Sequence, residues 1–545
     1  MKKIFFCLLF LFVSLSIYAQ QVTTVDRPKL VVGIVVDQMR YDYLTRFYNR
    51  YGEEGFKRIL KEGFNCENAH FNYIPTQTAV GHASIYTGAT GSTHGIIANY
   101  WYDKFLKEWV YCVDDFNYEA VGTDEVNEQK SPYRLLTTTV TDELRLAQNM
   151  NGKTIAIGLK DRSAVLPGGH TSNGSYWFVG KEEGKFVTSS FYMDELPKWV
   201  NDFNKNGLVD GYMKKKWETL YPIKTYTESI ADDNIYEGLF VGEEKPVFPH
   251  DLKKLAKDNA HFDLIKSSPF GNTLLIEFAK AAIKNEKLGQ GDFTDFLAIS
   301  FSSPDYIGHQ YGVDSKEMQD TYLRLDQDLA DLLDYLDKKI GTDNYTLFLT
   351  ADHAAVPVPA YLKSKKIPAG YFESGALRGY IDELAVADYG TADIIENVSN
   401  YQIFLDRKKL KELKLDAALV ADKLAEGLIN YDGIHKVVTA KTLQETEFNK
   451  GILNYLQNGY NQKLSGDVLM IPDPATTSYG ETGSTHGSGY SYDTHVPIMF
   501  FGKGIEKGRS RKKVEIIDIA PTLSNLLQIE FPNGSRGRVI EEVLR

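Results

Sequence analysis

The chain has 545 residues, of which 43% are hydrophobic and 25% charged, a composition that is ordinary for a folded protein with a large buried core and argues against disorder. Its formal net charge is -12, with acidic and basic residues mixed along the whole sequence. This balance argues against a nucleic-acid-binding surface, but it does not exclude small anionic substrates.

The N-terminus has the pattern of a secretory signal peptide. Lys2 and Lys3 form a positive segment, and an apolar run from Ile4 to Tyr18 follows. This run of about 15 residues is shorter than the ~20 residues that a bilayer-spanning helix needs. We predict a signal peptide over residues 1–19, cleaved after Ala19, and an exported chain that is periplasmic or secreted. An uncleaved membrane anchor is the alternative, and no later stretch predicts a membrane span.

Cysteine usage is sparse. Cys7 lies in the signal segment, so only Cys66 and Cys112 remain in the mature chain. An oxidising compartment would permit one disulfide between them, and two separate buried thiols are the alternative. Their number excludes a zinc site built from several cysteines.

Short apolar runs rich in β-branched residues predict the core of the fold. They predict strands over Lys29–Val36, Phe296–Phe301, Tyr345–Leu349 and His495–Phe501, and a strand turning into a helix over Val514–Leu527. Such buried runs are typical of a parallel sheet, and ligands collect at the carboxyl ends of its strands. We therefore predict an α/β fold with a mostly parallel central sheet flanked by helices.

Two intervals between these strands have a different texture. We predict that residues 20–545 form a single catalytic domain, in which the intervals 168–265 and 356–472 are insertions that cap the active face of the sheet. The second interval contains an amphipathic stretch from Lys411 to Leu428.

The first interval contains a weak calcium-loop pattern. Its polar positions are Asp202, Asn204, Asn206, Gly207 and Asp210. Position twelve of the pattern is Met213 instead of an acid, so a polar turn is favoured and calcium binding is the alternative.

Acidic and imidazole side chains follow three of the predicted strands. They are Asp37, Asp305, His309, Asp352 and His353. Carboxylate and imidazole ligands suit zinc. Asp305 and His309 are four residues apart, so one helical turn would place both on one face. A strand-end aspartate alone is more often a cap or a turn residue, but the recurrence at three strand ends predicts a metal site.

Thr78 is the candidate nucleophile. It precedes residues of helical character in the run PTQTAVGHAS, so we place it near a helix N-terminus, which favours an alkoxide. Coordination to a metal is one way to activate such a weak nucleophile. For this run in isolation, a helix cap without chemistry is the alternative.

Several segments together resemble the alkaline phosphatase superfamily. They are the strand ending at Asp37, PTQTAVGHASIYTG, SSPDYIGH, TADHA and STHGS. The threonine segment is similar to the nucleotide pyrophosphatase/phosphodiesterase branch. The further segment GLKDRSAVLPGGH resembles phosphate-irrepressible, PafA-type bacterial alkaline phosphatases. The resemblance extends from about Lys29 to the segment IDIAPTLSNLL near the C-terminus.

The resemblance implies a two-zinc site with a threonine nucleophile. The first zinc would be bound by Asp305, His309 and His486, and the second by Asp37, Asp352 and His353. Thr78 would also contact the second zinc and would form a phosphothreonine intermediate, which is two-metal catalysis. No counterpart of the acidic magnesium ligands of three-metal alkaline phosphatases is found, so no catalytic magnesium is expected.

Three further residues bear on the substrate class. Asn99, Lys160 and Arg162 would bind the nonbridging oxygens of a phosphate monoester, which carry more charge than those of a diester. The resemblance therefore implies an exported phosphomonoesterase of broad substrate range that acts on small phosphate esters. A phosphodiesterase or nucleotide pyrophosphatase is the alternative enzyme, and a zinc-containing binding protein without turnover is the alternative from another class. The oligomeric state is not predicted.

The remaining histidines receive no catalytic role. We predict structural roles for His82, in the helix after Thr78, and for His495, at the start of a strand. The others are predicted to be ordinary loop or surface residues: His70, His94, His170, His250, His261 and His435.

Overall fold

The computed structural model describes residues 26–545. The predicted signal peptide lies outside the described residues. Among the residues that the structure describes, no helix is long and apolar enough to cross a lipid bilayer.

Two larger sheets contain most of the strands. In chain order these strands are β1 (Leu30–Val36), β2 (Phe64–His70), β3 (Ala120–Val121), β4 (Thr154–Gly158), β5 (Gly174–Val179), β6 (Lys185–Ser189), β7 (Asp295–Phe301), β8 (Tyr345–Thr350), β9 (Ile395–Ser399), β10 (Gln402–Leu405), β11 (Ile434–Thr439), β12 (Val468–Pro472), β13 (His495–Gly502), β14 (Gly508–Ser510) and β15 (Val514–Glu515). The 11-stranded central sheet has the order β14-β2-β13-β8-β1-β7-β4-β5-β6-β3, with β15 beside β2. The 4-stranded sheet has the order β9-β10-β12-β11.

The centre of the large sheet is parallel. β1 pairs in parallel with β7 on one side and with β8 on the other, and all three strands are buried along their whole length. β13 pairs antiparallel with β8, so the sheet is mostly but not wholly parallel. The predicted strands β1, β7, β8 and β13 are present with ends within one residue of those expected. The predicted fold class is confirmed.

Helices flank this sheet. Those of seven or more residues are α1 (Phe56–Glu62), α2 (Thr78–Thr87), α3 (Val140–Ala147), α4 (Arg162–Gly168), α5 (Lys198–Asn204), α6 (Phe270–Glu286), α7 (Ser303–Tyr311), α8 (Lys316–Lys339), α9 (Ser374–Tyr389), α10 (Ala417–Leu428), α11 (Gly451–Gly459) and α12 (Ile519–Leu527). α2, α3, α4 and α12 pack together, and α6, α7 and α8 form a second group. α8 buries Leu325, Leu329, Leu332 and Leu336, whose helical spacing places them on one face.

Part of the interval 168–265 belongs to the central sheet itself. Its strands β5 and β6 extend the central sheet, because β5 pairs in parallel with β4 and β6 pairs antiparallel with β5. After α5, the interval contains short helices and the two-stranded sheet of Lys216–Trp217 with His250–Asp251.

The interval 356–472 contains the 4-stranded antiparallel sheet, with α9 and α10 packed against it over a hydrophobic core of its own. We call this part the cap module. The amphipathic stretch predicted over Lys411–Leu428 corresponds to two helices, the end of Arg407–Glu412 and the whole of α10, separated by residues 413–416. Lys414 adopts a left-handed conformation (φ 57°), and Asp416 caps α10 by accepting hydrogen bonds from the backbone of Ala418 and Leu419.

The two described cysteines are buried, as are His94 and His250. Cys66 and Cys112 are both buried and free, so the structure contains two separate thiols. His94 and His250 are fully buried, which corrects the prediction of ordinary loop or surface residues. Each has a polar partner that makes burial tolerable: Ser84 for His94, and glutamates for His250.

Two side chains of the calcium-loop pattern have partners outside the pattern. The Asn204 side chain bonds the backbone of Phe186, and the Asp202 carboxylate pairs with Lys198. These contacts match a polar turn.

The cap module provides a stability test. Leu424 of α10 is fully buried in its core, whereas Leu419 on the same helix is 68% exposed. Leu424→Ala is expected to destabilise the module by about 2–5 kcal/mol, since it leaves a cavity, and Leu419→Ala by less than about 0.5 kcal/mol. Denaturant unfolding of both variants measures the difference. Equal effects would contradict a separate packed core.

Candidate active site

The site lies at the carboxyl ends of β1, β7 and β8. Asp37 directly follows β1, and its backbone N–H donates to the carbonyl of Phe301 at the end of β7, at 3.0 Å. Asp305 lies in the first turn of α7, and Asp352 and His353 follow β8. Because these strands are neighbours in one parallel sheet, their ends meet at one edge, as the sequence predicted.

One set of ligand atoms gathers around His353. Asp37, Asp352 and His353 each offer an atom that lies within 4.8 Å of the other two. The His353 Nε2 atom is 3.4 Å from Asp37 Oδ1 and 3.7 Å from Asp352 Oδ2. All three side chains are fully buried, and these two carboxylate oxygens have no hydrogen-bond partner.

A second set gathers around Asp305. Its Oδ1 atom lies 3.1 Å from His309 Nε2 and 3.7 Å from His486 Nε2. The Nδ1 atoms of the two histidines bond the carbonyls of Ser484 (2.8 Å) and Thr76 (2.7 Å), which orients Nε2 towards Asp305.

The two sets adjoin each other. The rings of His353 and His486 stack with their centroids 3.5 Å apart. Ligand atoms of Asp305, His353 and His486 also lie within 4.8 Å of one another. The structure therefore brings all six predicted ligands into one centre with two overlapping halves, in which the His309 side chain is 28% exposed.

Burial and mutual charge perturb these groups. Burial raises the pKa of Asp37 to about 6, and the charge of Asp305 acts in the same direction. Burial and the charge of Asp37 hold the pKa of Asp352 well above its usual range. Burial also lowers the pKa of His486 to about 4 and that of His353 well below its usual range. His353 and His486 are therefore neutral at pH 7, the state that binds metals. Burial acts to lower the pKa of His309 as well, but the charge of Asp305 outweighs it and raises that pKa.

The donor set fits divalent metal ions. It combines buried carboxylate oxygens that lack hydrogen-bond partners with imidazoles whose Nδ1 atoms are already engaged. Carboxylate with imidazole is the chemistry of zinc and related ions.

Thr78 lies beside this centre. It is the first residue of α2 and only 1% exposed, and its Oγ1 atom lies 3.4 Å from His353 Nε2. His82, one turn later, is held between the Thr78 carbonyl and the Ser300 hydroxyl, at 2.9 Å from each. The hydroxyl therefore lies at a helix N-terminus and next to candidate metal ligands.

Asn99 and Arg162 flank the nucleophile segment. The Asn99 Oδ1 atom accepts a hydrogen bond from the backbone of Ala79 at 2.8 Å, which leaves its side-chain N–H groups for another acceptor. Arg162 begins α4 and donates from Nη1 to the Tyr111 hydroxyl at 2.9 Å, while its Nε is buried without a partner. The Tyr111 hydroxyl in turn donates to Asp161.

Lys160 contacts the metal-ligand carboxylates. Its ammonium lies 2.6 Å from both Asp37 Oδ2 and Asp305 Oδ2. In this structure it thus neutralises part of the charge that these aspartates concentrate.

Sequence reasoning missed Gln38. Its Nε2 donates to Asp305 Oδ1 at 2.6 Å, and its backbone N–H donates to Asp352 Oδ1 at 3.2 Å. Gln38 has φ 65°, uncommon for a non-glycine residue, and a Cβ on Gly308 would lie 1.8 Å from its Oε1. Only its position next to Asp37 could have indicated a role.

A cavity of about 340 Å³ lies between the cap module and the loop that carries His486. Its lining includes Gln77 beside the nucleophile and Tyr479, whose ring lies 5.5 Å from that of His309. On the cap side, Phe372 and Tyr401 contribute aromatic surface.

Known proteins match this chain over most of its length. The model of the type I phosphodiesterase / nucleotide pyrophosphatase family matches residues 31–496. The chain is 47% identical to "Alkaline phosphatase PhoV" of Synechococcus elongatus over 96% of this chain and 94% of the relative. It is 44% identical to "Alkaline phosphatase PafA" of Elizabethkingia meningoseptica over 98% of each. A Myroides odoratus protein named "Calcium-transporting ATPase" is 46% identical over 98% of this chain and 97% of its own length.

Solved structures of similar proteins point to the same relatives. The crystal structure of wild-type alkaline phosphatase PafA superimposes with a TM-score of 0.92 at 44% identity, over 96% of this chain and 100% of that chain. The murine ectonucleotide pyrophosphatase/phosphodiesterase 5 shares the fold, with a TM-score of 0.52 at 16% identity over 94% of this chain and 100% of that chain. The chain therefore belongs to the type I phosphodiesterase / nucleotide pyrophosphatase family and, within the alkaline phosphatase superfamily, to the PafA-type alkaline phosphatases.

Proposed function

We propose that this alkaline phosphatase is a zinc-dependent phosphomonoesterase of broad substrate range that acts through a phosphothreonine on Thr78. The observation that carries the proposal is the position of the Thr78 hydroxyl, 3.4 Å from His353 Nε2 at the junction of two sets of metal-ligand atoms. We further propose that the enzyme is exported, as its N-terminal sequence predicts, and that its partners are small phosphate esters.

Two zinc ions are the proposed cofactors. Asp305, His309 and His486 would bind one, and Asp37, Asp352 and His353, with Thr78, the other. Bound zinc would lower the pKa of the Thr78 hydroxyl and offset the negative charge of the phosphoryl group. We propose no catalytic magnesium.

The chain itself positions the nucleophile. In the proposed reaction, Thr78 Oγ1 loses its proton and forms a bond to phosphorus while the ester P–O bond breaks and the alcohol leaves. Water then cleaves the phosphothreonine and releases inorganic phosphate. The N-terminus of α2 favours the alkoxide, and the bonds of His82 to the Thr78 carbonyl and to Ser300 fix the first turn of that helix.

Asn99 and Arg162 support monoester recognition. The Asn99 amide N–H groups and the unpartnered Arg162 Nε are donors available for nonbridging oxygens. Two bound cations would repel the Lys160 ammonium, which lies on the Oδ2 atoms of Asp37 and Asp305. We therefore propose that Lys160 turns to the phosphoryl group in the metal-loaded enzyme and adds the third donor.

Phosphodiester or nucleotide pyrophosphate hydrolysis is the second candidate. The matching family model carries that name, and the cavity beside His486 offers room for a second ester group. The two candidates differ in what Arg162 contributes, because only a monoester presents three charged nonbridging oxygens.

The nucleophile is tested by removing its hydroxyl. Thr78→Ala is expected to lower kcat for an aryl phosphate monoester at least about 1,000-fold, because no oxygen remains to form the covalent intermediate. Bound metal, measured by mass spectrometry, should remain within error of wild type. Thr78→Ser, which keeps a hydroxyl, is the matched control and should retain far more activity. Near wild-type turnover in Thr78→Ala would exclude the assignment.

The substrate class is tested at Arg162. Arg162→Ala is expected to lower kcat/KM for an aryl monoester about 10- to 100-fold, since one charge-assisted interaction is lost, and to change the matching diester less than about threefold. Arg511→Ala removes an exposed guanidinium from the surface and is the control for net charge. Equal losses for both esters would favour the diesterase candidate.

A further inference from the structure

The Arg162 guanidinium is held by a hydroxyl group. Its Nη1 atom donates to the Tyr111 hydroxyl at 2.9 Å, its Nε has no partner, and within residues 26–545 Tyr111 is the one hydrogen-bond partner of this guanidinium. A carboxylate in the place of Tyr111 would offset the positive charge of the arginine. A neutral hydroxyl fixes the direction of the guanidinium and leaves its charge available to an anionic ligand.

The Tyr111 hydroxyl donates its proton away from Arg162. The proton goes to Asp161 Oδ1, so the hydroxyl oxygen is left as the acceptor for the arginine. Tyr111 is only 6% exposed, and burial raises the pKa of its hydroxyl well above the usual range, so the proton is kept at alkaline pH. Donation to a carboxylate also makes the hydroxyl oxygen a stronger acceptor.

A buried lysine offsets the charge of Asp161. The Lys130 ammonium lies 3.2 Å from Asp161 Oδ2, 2.5 Å from Asp114 Oδ1 and 4.8 Å from the centroid of the Tyr111 ring. Asp161 also accepts a hydrogen bond from the backbone N–H of Arg162 at 2.6 Å. The negative charge of Asp161 is therefore engaged by Lys130 and by the backbone, and the Tyr111 hydroxyl links Asp161 to the guanidinium.

A two-stranded antiparallel hairpin links Tyr111 to Asn99. Its strands are Tyr100–Asp103 and Glu108–Tyr111. The backbone N–H of Cys112, the next residue, donates to the Asn99 carbonyl at 3.0 Å and closes the hairpin. The hairpin therefore positions one proposed phosphate donor directly and the other through the Tyr111 hydroxyl.

We propose that Tyr111 is a positioning residue that directs the Arg162 guanidinium at the phosphoryl group without neutralising it. The inference rests on the proposed function, in which Arg162 binds a nonbridging oxygen of a phosphate monoester. Without the hydroxyl, the guanidinium would be free to pair with Asp161, and it would bring less charge and a worse direction to the substrate. Tyr111 thus favours monoesters by acting through Arg162.

The first test is Tyr111→Phe, which removes the hydroxyl and keeps the ring. We expect kcat/KM for an aryl phosphate monoester to fall about 5- to 20-fold, because a hydrogen bond to a charged group is lost, and kcat/KM for the matching diester to change less than about twofold. The inhibition constant of inorganic phosphate, which presents the same charged oxygens, should rise by a similar factor. Tyr102→Phe is the matched control, since its ring lies in the same hairpin but packs on Phe404 of the cap module, 5.4 Å away, and it should leave all three values unchanged.

A double-mutant cycle shows whether Tyr111 acts through Arg162. In an Arg162→Ala background, adding Tyr111→Phe should change kcat/KM for the monoester less than about twofold, because the hydroxyl then has no guanidinium to hold. A purely structural role of Tyr111 would instead lower kcat/KM for both esters, and would do so in either background.

Three results would overturn the inference. One is a Tyr111→Phe enzyme whose monoester kcat/KM stays within about twofold of wild type while Arg162→Ala loses about 10-fold or more. Another is the same loss from Tyr111→Phe with and without Arg162. The third is an equal loss for both esters in Tyr111→Phe when Arg162→Ala is selective for the monoester. If Arg162→Ala itself is not selective, the proposed function fails, and this inference fails with it.

Discussion

The structure depends on the gathering of three buried aspartates, Asp37, Asp305 and Asp352, at the ends of three neighbouring parallel strands. Their charges oppose one another, and burial adds to the cost, which is why the pKa of Asp37 rises to about 6. The fold tolerates this because cationic and hydrogen-bonding groups converge on the same point. Lys160 bridges Asp37 and Asp305, and Gln38 donates to one oxygen of Asp305 and one of Asp352. The remaining oxygens, Asp37 Oδ1 and Asp352 Oδ2, have no hydrogen-bond partner. Such a cluster of buried carboxylates favours the binding of cations.

The surrounding elements hold the centre in place. Carbonyl groups orient His309 and His486, and the close approach of α2 to the loop after β8 requires a glycine, because a Cβ on Gly81 would lie 2.1 Å from the Asp352 carbonyl. The cap module, with a core of its own, covers a cavity beside His486.

Much of this could be predicted from the sequence, because short β-branched runs mark buried strands and the strand-end aspartates stand directly after them. What could not be predicted depends on tertiary contacts. Lys160 was predicted to bind the phosphate ester, and the sequence did not indicate that its ammonium would lie between Asp37 and Asp305 in this structure. For Gln38, the sequence offered no indication of a role beyond its position next to Asp37. His250 is buried in contact with Glu243 and with Glu317, which is 67 residues away, and nothing in its local pattern indicated this.

Anomalous X-ray scattering at the zinc edge, from crystals of the zinc-loaded enzyme, tests most directly whether the centre binds two zinc ions. We expect two peaks per chain, one among Asp37, Asp352 and His353 and the other among Asp305, His309 and His486. We also expect the Lys160 ammonium to have moved away from the carboxylates. A single peak, or a Lys160 that still bridges Asp37 and Asp305 beside bound metal, would contradict it.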